Sequence, residues 1–177
     1  VVNALLDHKD IKGVNFVGST PVAKHVYTRG SANGKRVQAL GGAKNFMVML
    51  PDAAMESSVK AMVDSCYGCA GERCLAGSIL VGVGDAYGKM KEQVLKEVQN
   101  VVVGSGLDPK STLGPVISKE AKERIVSDIN KALEEGAELL VDGRNPQGEN
   151  LENGYFLGAT VLDKIRPETN MATKEIF

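Results

Sequence analysis

Three cysteines, Cys66, Cys69 and Cys74, lie within nine residues of one another. Cys74 stands in residues 70–78 (AGERCLAGS), where small neighbours on both sides leave its sulfur atom reachable. A thiol with an ordinary pKa of about 8.5 is only a few per cent thiolate at pH 7, so a nucleophile needs local help, and Arg73 is an adjacent cation. The residues leave two interpretations open: Cys74 is a catalytic nucleophile, or it is a buried structural cysteine.

Cys66 and Cys69 lie about one helical turn apart beside an apolar face, and packing in the core is their expected role. A zinc site built on the C-x2-C-x4-C pattern would need a fourth ligand, and the two histidines, His8 and His25, are far away in the sequence. We therefore predict no metal site. An odd, local set of cysteines cannot form a distributed disulfide framework, which favours a reducing compartment: the cytoplasm, or the mitochondrial matrix in a eukaryote.

Composition narrows the class of protein. The chain has 177 residues, of which 43% are hydrophobic, so it can bury a sizeable core. Its 21 Lys and Arg against 22 Asp and Glu give a net charge of −1, without the clustered basic charge that nucleic acids and anionic membranes require. No apolar stretch approaches the roughly 20 residues of a membrane span. The sequence predicts a soluble, globular protein with neither nucleic acid nor membrane as partner.

A second chemical feature is the turn Gly18-Ser19-Thr20, which follows an apolar run and precedes a helical pattern. Glycine permits a close backbone approach, and the free N–H groups at a helix start can bind a phosphate. The full G-x-G-x-x-G fingerprint is absent, so an ordinary capped helix start explains the turn equally well.

Short apolar runs alternate with amphipathic segments, which predicts an α/β fold with a largely parallel sheet. The predicted strands are 13–18, 35–40, 45–50, 79–83, 139–141 and 160–162. The predicted helices run from Ser19 or Thr20 to a stop at Gly30, onward from Asp52, over 85–98, and from a Ser118 cap to a Gly136 stop. The second helix should bury one face formed by Val59, Met62, Val63, Cys66 and Ala70. Residues 143–154, rich in Asn and Gly, predict a surface loop.

Taken together, these segments resemble the aldehyde dehydrogenase superfamily. The matching motifs occur in the family's order over the whole chain: FVGST (16–20), ALGGAKN (39–45), GERC (71–74), LGPVIS (113–118), DG (142–143) followed by GYFLGATVL (154–162), and KEIF (174–177). Within the superfamily, RVQALGGAKN and AGERC most resemble the CoA-acylating branch that oxidises methylmalonate semialdehyde.

The resemblance implies a role for each motif. Cys74 would attack the aldehyde carbon, and its own backbone N–H would help to stabilise the oxyanion. Gly18 and Ser19 would meet the pyrophosphate of NAD at the helix start. Glu175 would bind the nicotinamide ribose and Phe177 would line the nicotinamide site, although a solvated charge is the ordinary interpretation of Glu175 alone.

Two further positions concern the substrates. The resemblance places Leu40 where hydrolytic members carry a general-base glutamate, a catalyst typically worth about 10²–10⁴-fold, and this favours acyl transfer to CoA over hydrolysis. Leu40 is also expected to be a core residue of its strand. Arg73 beside the nucleophile fits a substrate that bears a carboxylate, such as malonate or methylmalonate semialdehyde. The alternative is a surface arginine paired with Glu72 or Asp64.

The resemblance also divides the chain. Residues 1–40 would be the end of a Rossmann-like NAD-binding domain, and residues 41–177 part of an α/β catalytic domain. Both ends are expected to be cuts through a larger fold, so that the chain alone should not turn over, and the whole enzyme is expected to be a homo-oligomer, either a dimer or a tetramer. A hydrolytic semialdehyde dehydrogenase and a catalytically silent α/β scaffold are the alternative functions.

Overall fold

The computed structural model describes residues 1–177, which divide into two units, Val1–Ala43 and Lys44–Phe177. The first unit contains helix α1 (Val2–Asp7), strand β1 (Gly13–Val17), helix α2 (Thr20–Ala32) and strand β2 (Arg36–Leu40). The two strands pair in parallel, with Gly13 opposite Arg36 and Val17 opposite Leu40. The predicted α/β class is confirmed for this unit, with α2 as the crossover that parallel strands require.

The packing of the first unit follows from the period of its apolar residues. Leu6 of α1 and Ala23 and Val26 of α2 are buried between the helices and the strand pair. Lys35, just before β2, is also buried, and its ammonium group donates hydrogen bonds to the carbonyl oxygens of His8 (2.6 Å) and Ile11 (2.7 Å). This bonding compensates the cost of taking the charge out of water and fixes the connection from α1 to β1.

The second unit begins with two parallel strands and two helices packed on them. In chain order they are β3 (Asn45–Met49), α3 (Met55–Tyr67), β4 (Gly77–Gly82) and α4 (Ala86–Glu97). Their buried side chains form one core cluster: Met49, Val59, Met62, Val63, Ala86, Met90, Val94, Val98 and, from later in the chain, Ala159. The apolar face predicted for α3 therefore forms the core through Val59, Met62 and Val63, whereas Cys66 is only half-buried and Ala70 lies beyond the end of the helix.

The remaining elements of this unit are α5 (Lys119–Glu134), β5 (Glu138–Val141), β6 (Val161–Asp163) and the short α6 (Asn170–Thr173). The predicted cap of α5 is confirmed, because the Ser118 hydroxyl accepts a hydrogen bond from the Ala121 amide at 3.1 Å. Gly136 has a positive φ of 97°, the left-handed conformation that stops a helix. No helix in the structure combines the length and the apolar composition needed to cross a membrane.

The expectation of a largely parallel sheet is confirmed for two strand pairs, and it is wrong in two respects. The strands form three separate pairs, β1–β2, β3–β4 and β5–β6, and the third pair is antiparallel. A parallel return needs a crossover, usually a helix, whereas residues 142–160 contain only the 3-10 turn Leu151–Asn153. This connection is also less superficial than predicted, since Gly143 and Leu151 are buried within it.

Gly30 does not end α2, contrary to the prediction. The helix continues to Ala32, and Gly34, with a positive φ of 69°, follows its end. Gly30 is buried, and a Cβ atom on it would lie 2.7 Å from Cγ2 of Val37 in β2. This residue is a glycine because helix and strand approach closely there.

We predict that Gly30→Ala destabilises the protein, by about 1 kcal/mol, although alanine is the better helix former. The gain in helix propensity, about 0.5–1 kcal/mol, is outweighed by overpacking, which typically costs about 1–3 kcal/mol. The measurement is the free energy of unfolding in urea. Gly88→Ala is the matched control, because Gly88 lies in α4 with no atom near the added methyl group, and it should stabilise. Equal stabilisation by both substitutions would show that Gly30 is not sterically constrained.

Candidate active site

Cys74 lies exposed on the turn that joins α3 to β4, residues 68–76, which we call the nucleophile turn. The helix ends at Tyr67 because Gly68 takes an extended conformation (φ −55°, ψ 136°). Cys69, Ala70 and Gly71 then have positive φ values of 53°, 55° and 69°. Non-glycine residues in this region typically cost about 1–2 kcal/mol each, so other contacts must hold the turn in place.

Side chains from the flanking elements hold the main chain around the sulfur. The amide nitrogen of Asn45, at the start of β3, donates to the carbonyl oxygens of Cys74 (2.8 Å) and Ala76 (2.9 Å). The hydroxyl of Ser65 in α3 accepts a hydrogen bond from the Gly77 amide at 3.0 Å. The sequence showed Asn45 only as the last residue of the ALGGAKN motif, and its contact with the nucleophile turn is a finding of the structure.

Glu72 and Arg73, which precede Cys74, do not pair with each other. One carboxylate oxygen of Glu72 accepts a hydrogen bond from the Ile117 amide at 3.1 Å, which ties the LGPVIS segment to the nucleophile turn. Nη2 of Arg73 donates to the main-chain oxygens of Asp64 (3.2 Å) and Ser65 (3.3 Å), in the last turn of α3. The alternative of an ion pair with the side chain of Glu72 or Asp64 is therefore not what the structure shows. Arg73 is exposed.

The other two cysteines differ from each other. Cys66 is half-buried in α3, and burial raises the pKa of its thiol to about 11. Cys69 is exposed, so the expectation that both pack in the core is wrong for this residue. The helical spacing that predicted it does not apply, because α3 ends two residues earlier. The structure contains no group of three or more His, Cys, Asp or Glu residues placed to hold a metal ion.

Gly18 and Ser19 belong to the first unit, at the start of α2. Ser19 is the N-cap residue, but its hydroxyl makes no capping hydrogen bond, and its side chain is exposed. The neighbouring Thr20 hydroxyl accepts a bond from the Gly42 amide at 3.0 Å. A Cβ atom on Gly18 would lie 2.6 Å from Cζ of Phe16, so a side chain at this position would displace the aromatic ring. The turn therefore offers an exposed helix start with an unused hydroxyl group.

Glu175 and Phe177 follow α6 in the second unit. The half-buried carboxylate of Glu175 forms no hydrogen bond or salt bridge within the chain, and Phe177 is exposed. Arg124 of α5 fixes the main chain here by donating to the carbonyl oxygens of Ile176 (2.6 Å) and Phe177 (3.2 Å). A cavity of about 180 Å³ separates this segment from α5, with Arg124, Lys131, Glu135 and Glu175 among its lining residues.

The ammonium group of Lys44 interacts electrostatically with Asp128 and Glu175. Burial lowers the pKa of its ammonium group, while the negative charges of Asp128 and Glu175 oppose that shift. The next residue, Asn45, binds the nucleophile turn. Of these two adjacent residues, Asn45 thus contacts the nucleophile turn and Lys44 interacts with Glu175. The structure shows no direct contact between the pair Arg73 and Cys74 and the pair Glu175 and Phe177.

Comparison with known proteins identifies the class. The sequence model of the aldehyde dehydrogenase family matches residues 1–177. Over all 177 residues the chain is 45% identical to malonate-semialdehyde dehydrogenase 1 of Oceanobacillus iheyensis and 43% identical to malonate-semialdehyde dehydrogenase 2 of Shouchella clausii. It spans 36% of the length of each relative. The chain belongs to the aldehyde dehydrogenase family, as its motifs indicated.

Solved structures agree with this assignment. A crystal structure of a putative methylmalonate-semialdehyde dehydrogenase from Sinorhizobium meliloti, complexed with NAD, superposes with a TM-score of 0.95 at 42% identity. Methylmalonate-semialdehyde dehydrogenase from Oceanimonas doudoroffii gives 0.94 at 44% identity. In both cases the match covers 99% of this chain and 36% of the other. Betaine aldehyde dehydrogenase of Staphylococcus aureus, in complex with NAD+, gives 0.94 at 28% identity.

We predict that Asn45→Asp destabilises the protein by about 1–3 kcal/mol, because a carboxylate would face two carbonyl oxygens that lose their donor. Asn45→Ala should also destabilise, since it leaves both oxygens without the amide. The measurement is the free energy of unfolding in urea. Asn15→Ala is the control, because Asn15 is exposed in β1 and its side chain makes no hydrogen bond. Unfolding free energies within 0.5 kcal/mol of wild type for both Asn45 variants would contradict the assigned role.

We predict that iodoacetamide at pH 8 modifies Cys69 and Cys74 but spares Cys66. With a pKa of about 11, only about one Cys66 thiol in a thousand is ionised at this pH, and half-burial limits its access further. Peptide mass spectrometry gives the rate at each site, and urea-unfolded protein, in which all three should react alike, is the control. Equal rates in the folded protein would refute the burial of Cys66.

Proposed function

We propose that the protein containing this chain oxidises a carboxylate-bearing semialdehyde, of the malonate or methylmalonate type, with NAD as oxidant, and transfers the acyl group from Cys74 to CoA. The observation that carries the proposal is the exposed thiol of Cys74 on a turn whose main chain is held by Asn45 and Ser65. Such a thiol can reach a small substrate while its backbone stays fixed, as nucleophilic catalysis requires.

The chemistry assigned to Cys74 has two stages. Its thiolate attacks the aldehyde carbon, an S–C bond forms, and the negative charge on oxygen meets the N–H group of Cys74 itself. Bound NAD supplies the acceptor for the hydride that leaves the same carbon, which converts the thiohemiacetal to a thioester. The thiolate of CoA then attacks the thioester carbonyl, the bond to Cys74 breaks, and the free sulfur returns.

The residues assigned to NAD have the properties that a dinucleotide needs. The start of α2 offers free N–H groups and the uncommitted hydroxyl of Ser19 for the pyrophosphate, next to Gly18. Glu175 has a carboxylate without an internal partner, free to accept hydrogen bonds from ribose hydroxyls, and the exposed ring of Phe177 can pack against the nicotinamide. The complexes of relatives with NAD support NAD as the dinucleotide.

The residues at the end of β2 support CoA, and not water, as the proposed acceptor of the acyl group. Ala39 and Leu40 precede Gly41 and Gly42, and neither aliphatic side chain can take a proton from water. Leu40 is not the core residue expected from the sequence, since it is 51% exposed at the end of the strand. Without a general base, hydrolysis loses about 10²–10⁴-fold, whereas CoA, a stronger nucleophile than water, needs less help. A hydrolytic enzyme would have to recruit a base from elsewhere.

Arg73 is the residue proposed to bind the substrate carboxylate. Its contacts within the chain use Nη2 alone, so Nε and Nη1 retain their donors, and Arg73 directly precedes Cys74 in the chain. The names of the relatives, malonate- and methylmalonate-semialdehyde dehydrogenases, point to the same class of substrate. Assembly into a homo-oligomer and residence in a reducing compartment belong to this proposal as well.

Product analysis tests the proposal on a protein of full aldehyde dehydrogenase length that carries this chain. With malonate semialdehyde and NAD, we expect NADH formation to be about 10²-fold or more faster with CoA than without it, and the product to be an acyl-CoA. Free acid formed at full rate without CoA would establish the hydrolytic alternative. Cys74→Ala should abolish NADH formation. Cys69→Ser, which removes the other exposed thiol, is the matched control and should not. Retained turnover in Cys74→Ala would leave the silent scaffold as the interpretation of this chain.

A further inference from the structure

Gly68 lies five residues before Arg73 and directly beneath its guanidinium group. The backbone of Gly68 (φ −55°, ψ 136°) has a conformation that every L-amino acid adopts, so the backbone does not require glycine here. A Cβ atom at this position, however, would lie 2.7 Å from Nη2 and 3.3 Å from Cζ of Arg73. Ordinary carbon contacts are about 3.5–4.0 Å, so the missing side chain provides the space that the guanidinium occupies.

The guanidinium is anchored there by the end of α3. Nη2 donates to the carbonyl oxygens of Asp64 and Ser65, two of the last carbonyl groups of that helix. A cation is favourable at a helix C-terminus, where unpaired carbonyl oxygens concentrate negative potential. Arg73 forms no salt bridge, and its Nε and Nη1 have no partner in the chain. One nitrogen thus fixes the group, and the other two remain available to a ligand.

We propose that Gly68 is a positioning residue for substrate specificity: by lacking a side chain, it lets Arg73 rest on the end of α3 and present Nε and Nη1 to the substrate carboxylate beside Cys74. The inference rests on the proposed function, in which Arg73 binds that carboxylate. It adds that the position of the guanidinium depends on residue 68, which itself touches neither substrate nor cofactor.

The expected consequence of a methyl group at residue 68 is local. The clash involves the far end of a flexible side chain, so Arg73 can move away and the protein can still fold. The displaced guanidinium loses its hydrogen bonds to Asp64 and Ser65 and the position from which it is proposed to bind the carboxylate. Gly68→Ala should therefore affect recognition of the carboxylate while leaving the reaction of the aldehyde group intact.

The test compares two substrates in the full-length protein, malonate semialdehyde and propanal, which lacks the carboxylate. Gly68→Ala should raise KM about tenfold for malonate semialdehyde, the loss expected for one charged hydrogen bond. Its KM and kcat for propanal should stay within twofold of wild type, which also shows that the variant is folded. Gly88→Ala, where the added methyl group meets nothing, is the matched control and should change neither substrate.

The double variant Gly68→Ala/Arg73→Ala tests whether the effect of residue 68 acts through the Arg73 guanidinium. Arg73→Ala alone should raise KM for malonate semialdehyde, and adding Gly68→Ala should then have no further effect, because no guanidinium remains to be displaced. An equal effect of Gly68→Ala in both backgrounds, or on both substrates, would overturn the positioning role. If Arg73→Ala loses the preference for the carboxylate and Gly68→Ala keeps it, only this inference fails. If Arg73→Ala itself keeps the preference, the proposed role of Arg73 fails first.

Discussion

The structure around the candidate nucleophile depends on one amide group. Between α3 and β4 the chain leaves regular secondary structure, so its carbonyl groups lose the partners that a helix or sheet would provide. The amide nitrogen of Asn45 donates to two of them, on either side of Leu75. Because β3 and β4 pair in parallel with Asn45 opposite Gly77, the strand pairing itself delivers this amide to the nucleophile turn. The pairing of β3 with β4 thus determines both the fold at this point and the position of the main chain at Cys74.

The end of α3 also stabilises the nucleophile turn through hydrogen bonds. Helix termini leave carbonyl groups without helical partners, and here Arg73 donates from beyond the helix to Ser65 and to Asp64, whose carbonyl oxygen also accepts the Gly68 amide. Arg73, directly before Cys74, therefore acts as a C-terminal cap, and the Ser65 hydroxyl of the same helix accepts a hydrogen bond from the Gly77 amide. These bonds offset the cost of the left-handed residues Cys69 and Ala70, which lie between helix and sulfur. A structural duty for Arg73 is compatible with a chemical one, since each uses different nitrogen atoms.

How far the sequence predicts this structure depends on the range of the interaction. The Ser118 cap, the core face of α3 and the helix start at Ser19 are local patterns, and the sequence predicts them. The function of Gly30 depends on Val37 in a neighbouring strand, and Asn45 meets Cys74 across 29 residues. Spacing along one helix carries no information about such contacts, and so Gly30 was interpreted as a helix stop. The same limit explains Cys69, whose helical spacing continues past the actual end of α3.

The two residues at the end of β2, Leu40 and Gly41, differ in how far packing explains their identity. Glycine is favoured at residue 41, because a Cβ atom there would lie only 3.0 Å from the Cα and Oγ1 atoms of Thr20, where the strand end approaches the start of α2. Leu40, in contrast, is 51% exposed, so packing within Val1–Ala43 does not demand an apolar side chain at that position. A glutamate would remain solvated there and would cost this unit little. The aliphatic residue leaves no proton acceptor at the strand end, and the proposed transfer of the acyl group to CoA rests on this property.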